Sequence, residues 1–456
     1  IKVKLLSDVI PGQDQTSYIY WLQSLFSSER FLPHFINESF IEALQIDDKS
    51  FLHNFLKPIY LSTINLFTLV ALLYFGIGSI FLDASVKSQI ILSILINNVS
   101  ILVISFYFLK YKKKFNNFIF FSFLVFLFLQ INYFFYGFST HGTHNVGILF
   151  LIINLIFLEK YIKEISISII STKKRFTYFI IQSLAFYSMY TNVFLIPICM
   201  FISIFFLDIK LSLKIKELLI YSISTIIILL PAFAVLILTF NNIENDQGFI
   251  LWGKWAFSYL EGATPFDLFA YLKTNIWKWF IFNIQNFGYV LFPISFFGLI
   301  ILKNKYKIGI FLILFLTHFL ISLIMAGFNY AQSRTTGYLT PICSIGLSII
   351  IFKLFLFFLR FNKRKNNYLK FYTFLIIFFI INVEIFLGFK KVVSPELIPV
   401  DWSRKYLKNE NQYLHTNKIL NKIINQKALI ISSNNSYKII FSSLNFTNTN
   451  LNFLLS

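Results

Sequence analysis

The chain has 456 residues, 57% of them hydrophobic and only 13% charged, with a formal net charge of +20 and a mean hydropathy of +0.70. That balance excludes a soluble globular protein and places the sequence among integral membrane proteins. The two cysteines, Cys199 and Cys343, both lie in apolar runs, which argues against a disulfide framework or a thiolate metal site.

Residues 1–57 are too charged to span a bilayer and interleave acids with Trp21, Phe26, Phe31, Phe35, Phe40 and Phe51. The mixture suits a first extracytosolic loop whose helices rest in the interface. Behind the turn Pro11-Gly12, Asp14 and Tyr18 stand four apart, so a helix opening there puts carboxylate and phenol on one face. Asp14 is then either an N-cap for that helix or a general base at the membrane surface. The chain starts at Ile1 with no signal peptide ahead of the loop, and a preceding transmembrane helix is expected to deliver it.

A transmembrane domain is expected over 58–393. Its apolar runs fall near 59–81, 89–109, 118–136, 147–163, 176–190, 193–207, 218–240, 289–302, 308–325, 338–359 and 371–389, each about the length that spans a bilayer. Residues 241–287 interrupt them with Trp252, Trp255, Trp277 and Trp279, as expected of a long extracytosolic loop resting at the interface. From 394 to 456 the chain is polar, with the short apolar run Ala428-Leu429-Ile430-Ile431 ahead of a turn-like Ser432-Ser433-Asn434-Asn435. That pattern predicts a strand in a small extracytosolic α/β appendage, cut short at Ser456. The fold class is thus an all-α polytopic membrane protein of about ten or eleven transmembrane helices, with an interfacial first loop and that appendage.

The lysines are topological. They cluster at Lys110 to Lys114, Lys173 to Arg175, Lys210 to Lys216, Lys303 to Lys307 and Arg360 to Lys365, and alternate with breaks that hold almost none: Ser139 to Val146, Tyr190 to Asn192, and Ala326 to Tyr338. Such alternation follows the positive-inside rule and points away from nucleic acid. Seven spans between Asp14 and the long loop would put them on opposite sides, so one early run is expected to be re-entrant or interfacial. The run 59–109, with Gly76, Gly78, Asp83 and the pair Asn97-Asn98, is the one with polar interruptions.

Functional groups gather at the extracytosolic ends. His141 and His144 flank a glycine in Ser139-Thr140-His141-Gly142-Thr143-His144-Asn145. They are open to three roles: metal ligation on a helix, hydrogen bonding to a polar substrate, or interfacial anchoring. Arg334 is the lone basic residue of Gln332-Ser333-Arg334-Thr335-Thr336-Gly337-Tyr338. Its guanidinium fork suits a phosphate, and equally a lipid headgroup.

Taken together, Asp14 with Tyr18, the loop Ser139 to Asn145, the turn Tyr190-Thr191-Asn192, the segment Arg334 to Pro341 and the terminal appendage resemble membrane glycosyltransferases of the GT-C fold. These are the protein mannosyltransferases and aminoarabinose transferases that use polyprenyl-phosphate sugars. Those families often carry two adjacent acids at the first position, whereas Gln15 follows Asp14 here. The resemblance implies a transferase of a bacterial inner membrane with its site on the extracytosolic face. A polyprenyl-phosphate-linked sugar is the donor, and a lipid, glycan or protein is the acceptor. Asp14 would be the base; Arg334, with Lys57 or Lys254, would hold the phosphate; Tyr18, His141 and His144 would position sugar or acceptor. No metal is obligatory for that chemistry, and a divalent cation is compatible with it. The alternatives are a structural membrane subunit and a transporter or flippase of lipid-linked glycans. A transporter should carry charges at the membrane midplane, where this sequence offers Glu384 and His318.

Overall fold

Where water is absent, backbone polar groups must be satisfied within the segment, so long apolar runs fold as helices and their polar interruptions become turns. The computed structural model describes residues 67–82, 86–109, 115–131, 142–167, 171–240, 265–288, 290–301, 309–324, 339–361, 430–431 and 453–454. Its helices are α1 (Leu69–Leu82), α2 (Val86–Leu109), α3 (Phe115–Ile131), α4 (Gly142–Ser166), α5 (Thr172–Phe186) and α6 (Tyr190–Phe205). They continue with α7 (Leu211–Phe240), α8 (Pro265–Phe287), α9 (Leu291–Ile301), α10 (Ile310–Ile324) and α11 (Leu339–Phe361). Strands β1 (Ile430–Ile431) and β2 (Phe453–Leu454) pair in parallel. The rest of the expected appendage lies outside the described residues, as do the run 371–389 and the first loop.

Among the described residues, three segments are long and apolar enough to cross a membrane: Ile91–Phe108 in α2, His144–Ser166 in α4 and Leu211–Phe233 in α7. The protein is an α-helical membrane protein. Within its spans, 67% of the α4 window is buried against only 17% of the α7 window, so α4 is central and α7 peripheral. Around α4 pack α1, α2, α5, α6 and α10. The outer face of α7 carries Ile215, Leu219, Ile223, Ile226, Leu230 and Phe233, all exposed, the composition of a lipid-facing surface.

Of the run expected to be re-entrant or interfacial, α1 has 14 residues, about 21 Å at the helical rise, whereas α2 holds a full-length candidate span. Tyr74 Oη donates to Leu92 O at 2.8 Å, tying α1 to α2. Asn97 is buried and Asn98 is exposed, so the two amides do different work.

Short helices also form a hairpin from α5 and α6. Ser171 caps α5, its hydroxyl accepting from Lys174 N at 3.4 Å. The C-terminus of α6 is capped from the other side of its connection, where Lys214 Nζ donates to Phe205 O at 2.8 Å. With 15 and 16 residues, these helices extend only about 22 to 24 Å, less than the hydrocarbon thickness of about 30 Å. Their outer ends carry the lysine clusters, and the tip at Tyr187 to Met189 ends inside protein, with Ser188 and Met189 buried. Non-helical backbone at membrane depth is tolerated where protein surrounds it.

Within the segment expected as a long Trp-rich loop, residues 265–287 are the helix α8. Asn275, Trp279 and Asn283, four apart, form its buried stripe, while Phe269 and Trp277 face outward. Asn275 Nδ2 donates to Leu323 O at 3.2 Å and Trp279 Nε1 to His318 Nδ1 at 3.1 Å, fixing α8 on the end of α10. His318 therefore faces a neighbouring helix. Gly288 turns the chain from α8 into α9 with φ 109°, a conformation that glycine adopts without strain.

The tightest helix contact is between α9 and α11. A methyl group built on Gly298 would overlap the Gly346 carbonyl, and one on Gly346 would overlap the Ser295 carbonyl. Small residues let backbones approach closely where no hydrophobic effect drives helices together. Gly346→Ala is expected to force the two helices apart and cost about 1 to 3 kcal/mol, the range for overpacking. A lowered midpoint in denaturant titration of detergent-purified protein would register it.

Candidate functional site

One of the stretches that carry the resemblance packs against α4 two residues past the end of another. The polar loop ending at Asn145 runs directly into α4, so His144 and Asn145 lie in its first turn, 4% and 1% exposed. Tyr190-Thr191-Asn192, read in the sequence as an extracytosolic break, is the buried first turn of α6. Asn192 Nδ2 lies within hydrogen-bonding distance of Gly147 O at 3.0 Å, Ala185 O at 2.9 Å and Ser188 Oγ at 3.2 Å, joining α4, α5 and the hairpin turn. Ser188 Oγ donates to Ala185 O at 2.7 Å, and α1 joins through Val70 N, which donates to Tyr187 O at 2.8 Å.

This arrangement explains why a polar turn is buried: its amide finds carbonyl partners within the protein at a depth where water is absent. Helix N-termini carry partial positive charge. The first turn of α6 abuts α4 one turn past its own start, so positive helix ends are brought close together. Among the described residues, the Thr191 hydroxyl and the Asn192 carbonyl oxygen have no hydrogen-bond partner.

Of the residues expected at the site, His144 is described, and it lies inside the packed first turn of α4. Asp14, Tyr18, Lys57, His141, Lys254 and Arg334 lie outside the described residues.

A second polar cluster was not expected from the sequence. Arg175 Nη2 of α5 donates to Glu217 Oε1 of α7 at 2.6 Å, and Tyr161 Oη of α4 donates to Glu217 Oε2 at 3.2 Å. The Glu217 side chain is 2% exposed and that of Arg175 19%. Farther along the helices, Gln182 Nε2 reaches Tyr221 Oη at 3.0 Å and Thr225 Oγ1 at 3.1 Å. The available signal was spacing: Arg175, Tyr178 and Gln182 on α5 match Glu217, Tyr221 and Thr225 on α7, each set keeping to one helical face. Reading the basic clusters only as topology markers hid Arg175 within one of them.

Both cysteines are buried, and Cys199 Sγ donates to Thr317 Oγ1 at 3.4 Å. No protein-family model, curated protein or solved structure matches the chain.

Proposed function

We propose that the protein is a glycosyltransferase of a bacterial inner membrane that moves a sugar from a polyprenyl-phosphate donor to a lipid, glycan or protein acceptor at the extracytosolic face. The observation that carries this reading is the junction of α4 and α6. Asn192 of α6 bonds Gly147 of α4, 45 residues away in sequence, so the polar start of α6 is buried against the helix that follows the polar stretch Ser139 to Asn145.

In the reaction the acceptor oxygen attacks the anomeric carbon and gives its proton to Asp14, while the bond between that carbon and the phosphate oxygen breaks. The departing polyprenyl phosphate takes the electron pair, and Arg334, with Lys57 or Lys254, neutralises it. His144, held in the first turn of α4, supports the loop that carries His141, and Tyr18 orients the sugar. The polyprenyl chain stays among the apolar helices while its head reaches the loops. A metal is not required where protein cations hold the phosphate, and a divalent cation is compatible with the same geometry.

The transporter alternative looks to charges at the midplane, and Glu384 lies outside the described residues. Arg175 is the fourth residue of α5 and Glu217 the seventh of α7, which places the pair at the lysine-rich ends rather than at the midplane where transported substrates bind.

Arg334→Lys tests the transferase reading. A phosphate clamp needs the bidentate fork, so sugar transfer in proteoliposomes supplied with polyprenyl-phosphate sugars is expected to drop substantially although the charge remains. Full transfer by the Lys variant would instead mark Arg334 as a headgroup anchor, which needs only a cation on a long stem.

A further inference from the structure

Three helices turn polar stripes toward one another. On α4 the stripe is Asn154 and Tyr161; on α5 it is Arg175, Tyr178 and Gln182; on α7 it is Glu217, Tyr221 and Thr225. Asn154, Tyr161, Tyr178, Gln182, Glu217 and Tyr221 are all 3% exposed or less. The layer nearest the lysine-rich end is closed by the Arg175 to Glu217 ion pair and the Tyr161 hydroxyl. Above it Tyr178 stacks on Tyr161 with ring centroids 4.8 Å apart.

The inner layer is not closed. Asn154 Oδ1 and Gln182 Oε1 are buried without a hydrogen-bond partner among the described residues. Tyr178 links Asn154 to Tyr221: the Asn154 amide donates to the Tyr178 hydroxyl, which donates to Tyr221 Oη. That leaves Asn154 Oδ1 and Gln182 Oε1 as unmet acceptors. Each such group costs about 1 to 3 kcal/mol when left unsatisfied, and lipid offers no replacement. A water molecule supplies the missing donors, giving one proton to Asn154 Oδ1 and the other to Gln182 Oε1.

We propose that α4, α5 and α7 enclose a bound-water site at Asn154, Tyr178 and Gln182, closed toward the lysine-rich end by Arg175, Glu217 and Tyr161. Its ligand is water, and the site is separate from the junction of α4 and α6: Asn154 lies about 10 Å along α4 from Gly147 at the helical rise. It does not depend on the transferase reading. A bridging water keeps nearly the full strength of a direct hydrogen bond.

Radiolytic footprinting of the full chain in lipid nanodiscs tests the site. X-rays generate hydroxyl radicals from bound water in place, and the side chains touching that water are oxidised even where bulk radicals do not reach. Tyr178 is expected to be oxidised severalfold faster than Phe186, an equally buried ring on the same helix. Asn154→Leu removes a donor and an acceptor and fills the space, so it should bring Tyr178 down to the Phe186 rate. Gln182→Met serves the same purpose should the first variant fail to insert. A wild-type Tyr178 oxidised no faster than Phe186 would overturn the site, as would a rate unchanged in the variants.

Discussion

Asp14→Asn is expected to lower sugar transfer by roughly 10²- to 10⁴-fold, the contribution of a positioned general base, with expression and membrane insertion unchanged. Asparagine keeps the size and most of the hydrogen bonding of aspartate but cannot take a proton from the acceptor hydroxyl. The two roles open to this residue therefore separate cleanly. An N-cap tolerates Asn, which ranks with Asp at that position, whereas a base does not. Transfer measured in proteoliposomes with a polyprenyl-phosphate sugar and a radiolabelled sugar moiety reads the difference, and full activity in the variant would remove Asp14 from the chemistry.

The largest effect on stability is expected from Glu217→Ala. It leaves the Arg175 guanidinium without its counter-ion in a site where the partner carboxylate is 2% exposed, and it removes the acceptor of the Tyr161 hydroxyl. Breaking a buried pair from one side costs about 3 to 5 kcal/mol, because a charge is left uncompensated. Replacing both partners, Arg175→Met with Glu217→Met, should recover much of that loss, since an apolar pair of similar volume avoids the desolvation cost altogether. Thermal unfolding of the three proteins in one detergent gives the comparison. A double variant as unstable as Glu217→Ala would mean that the pair holds α5 to α7 by something other than charge neutralisation.

The helices were legible because the apolar runs are long and the lysines punctuate them. The run 193–207 corresponds to α6 and 89–109 to α2, each within a few residues at its ends. What the sequence hid were polar residues inside helices. The stretch Ser139 to Asn145 looks hydrated in sequence, yet His144 and Asn145 are packed in the first turn of α4. The start of α7 was missed for the opposite reason. Lys214 and Lys216 are charged, but lysine can run along a helix and place its ammonium at an edge, and Lys214 does so by reaching Phe205 O. In α8 the cue was an asparagine, a tryptophan and an asparagine at intervals of four, easily overlooked among aromatic residues that suggested an interface. Of the site, only the meeting of the α4 and α6 first turns is visible in the structure. Nothing in linear sequence said that the amide of Asn192 would choose the carbonyl of Gly147.

The dimensions of the α5 and α6 hairpin also bear on how the chain enters the membrane during synthesis. Neither helix is long enough to be handed to lipid alone, and the buried turn between them would be stranded there without α4 to receive it. Insertion of this stretch is therefore coupled to the presence of α4, which is made first. It is completed only when α7 emerges, because Glu217, Tyr221 and Thr225 supply the partners that Arg175 and Gln182 need. The four helices are in that sense one unit of biogenesis. A nascent chain released after Leu207 would hold an unpaired arginine and an unanswered glutamine at the membrane, the kind of half-made segment that membrane quality control removes.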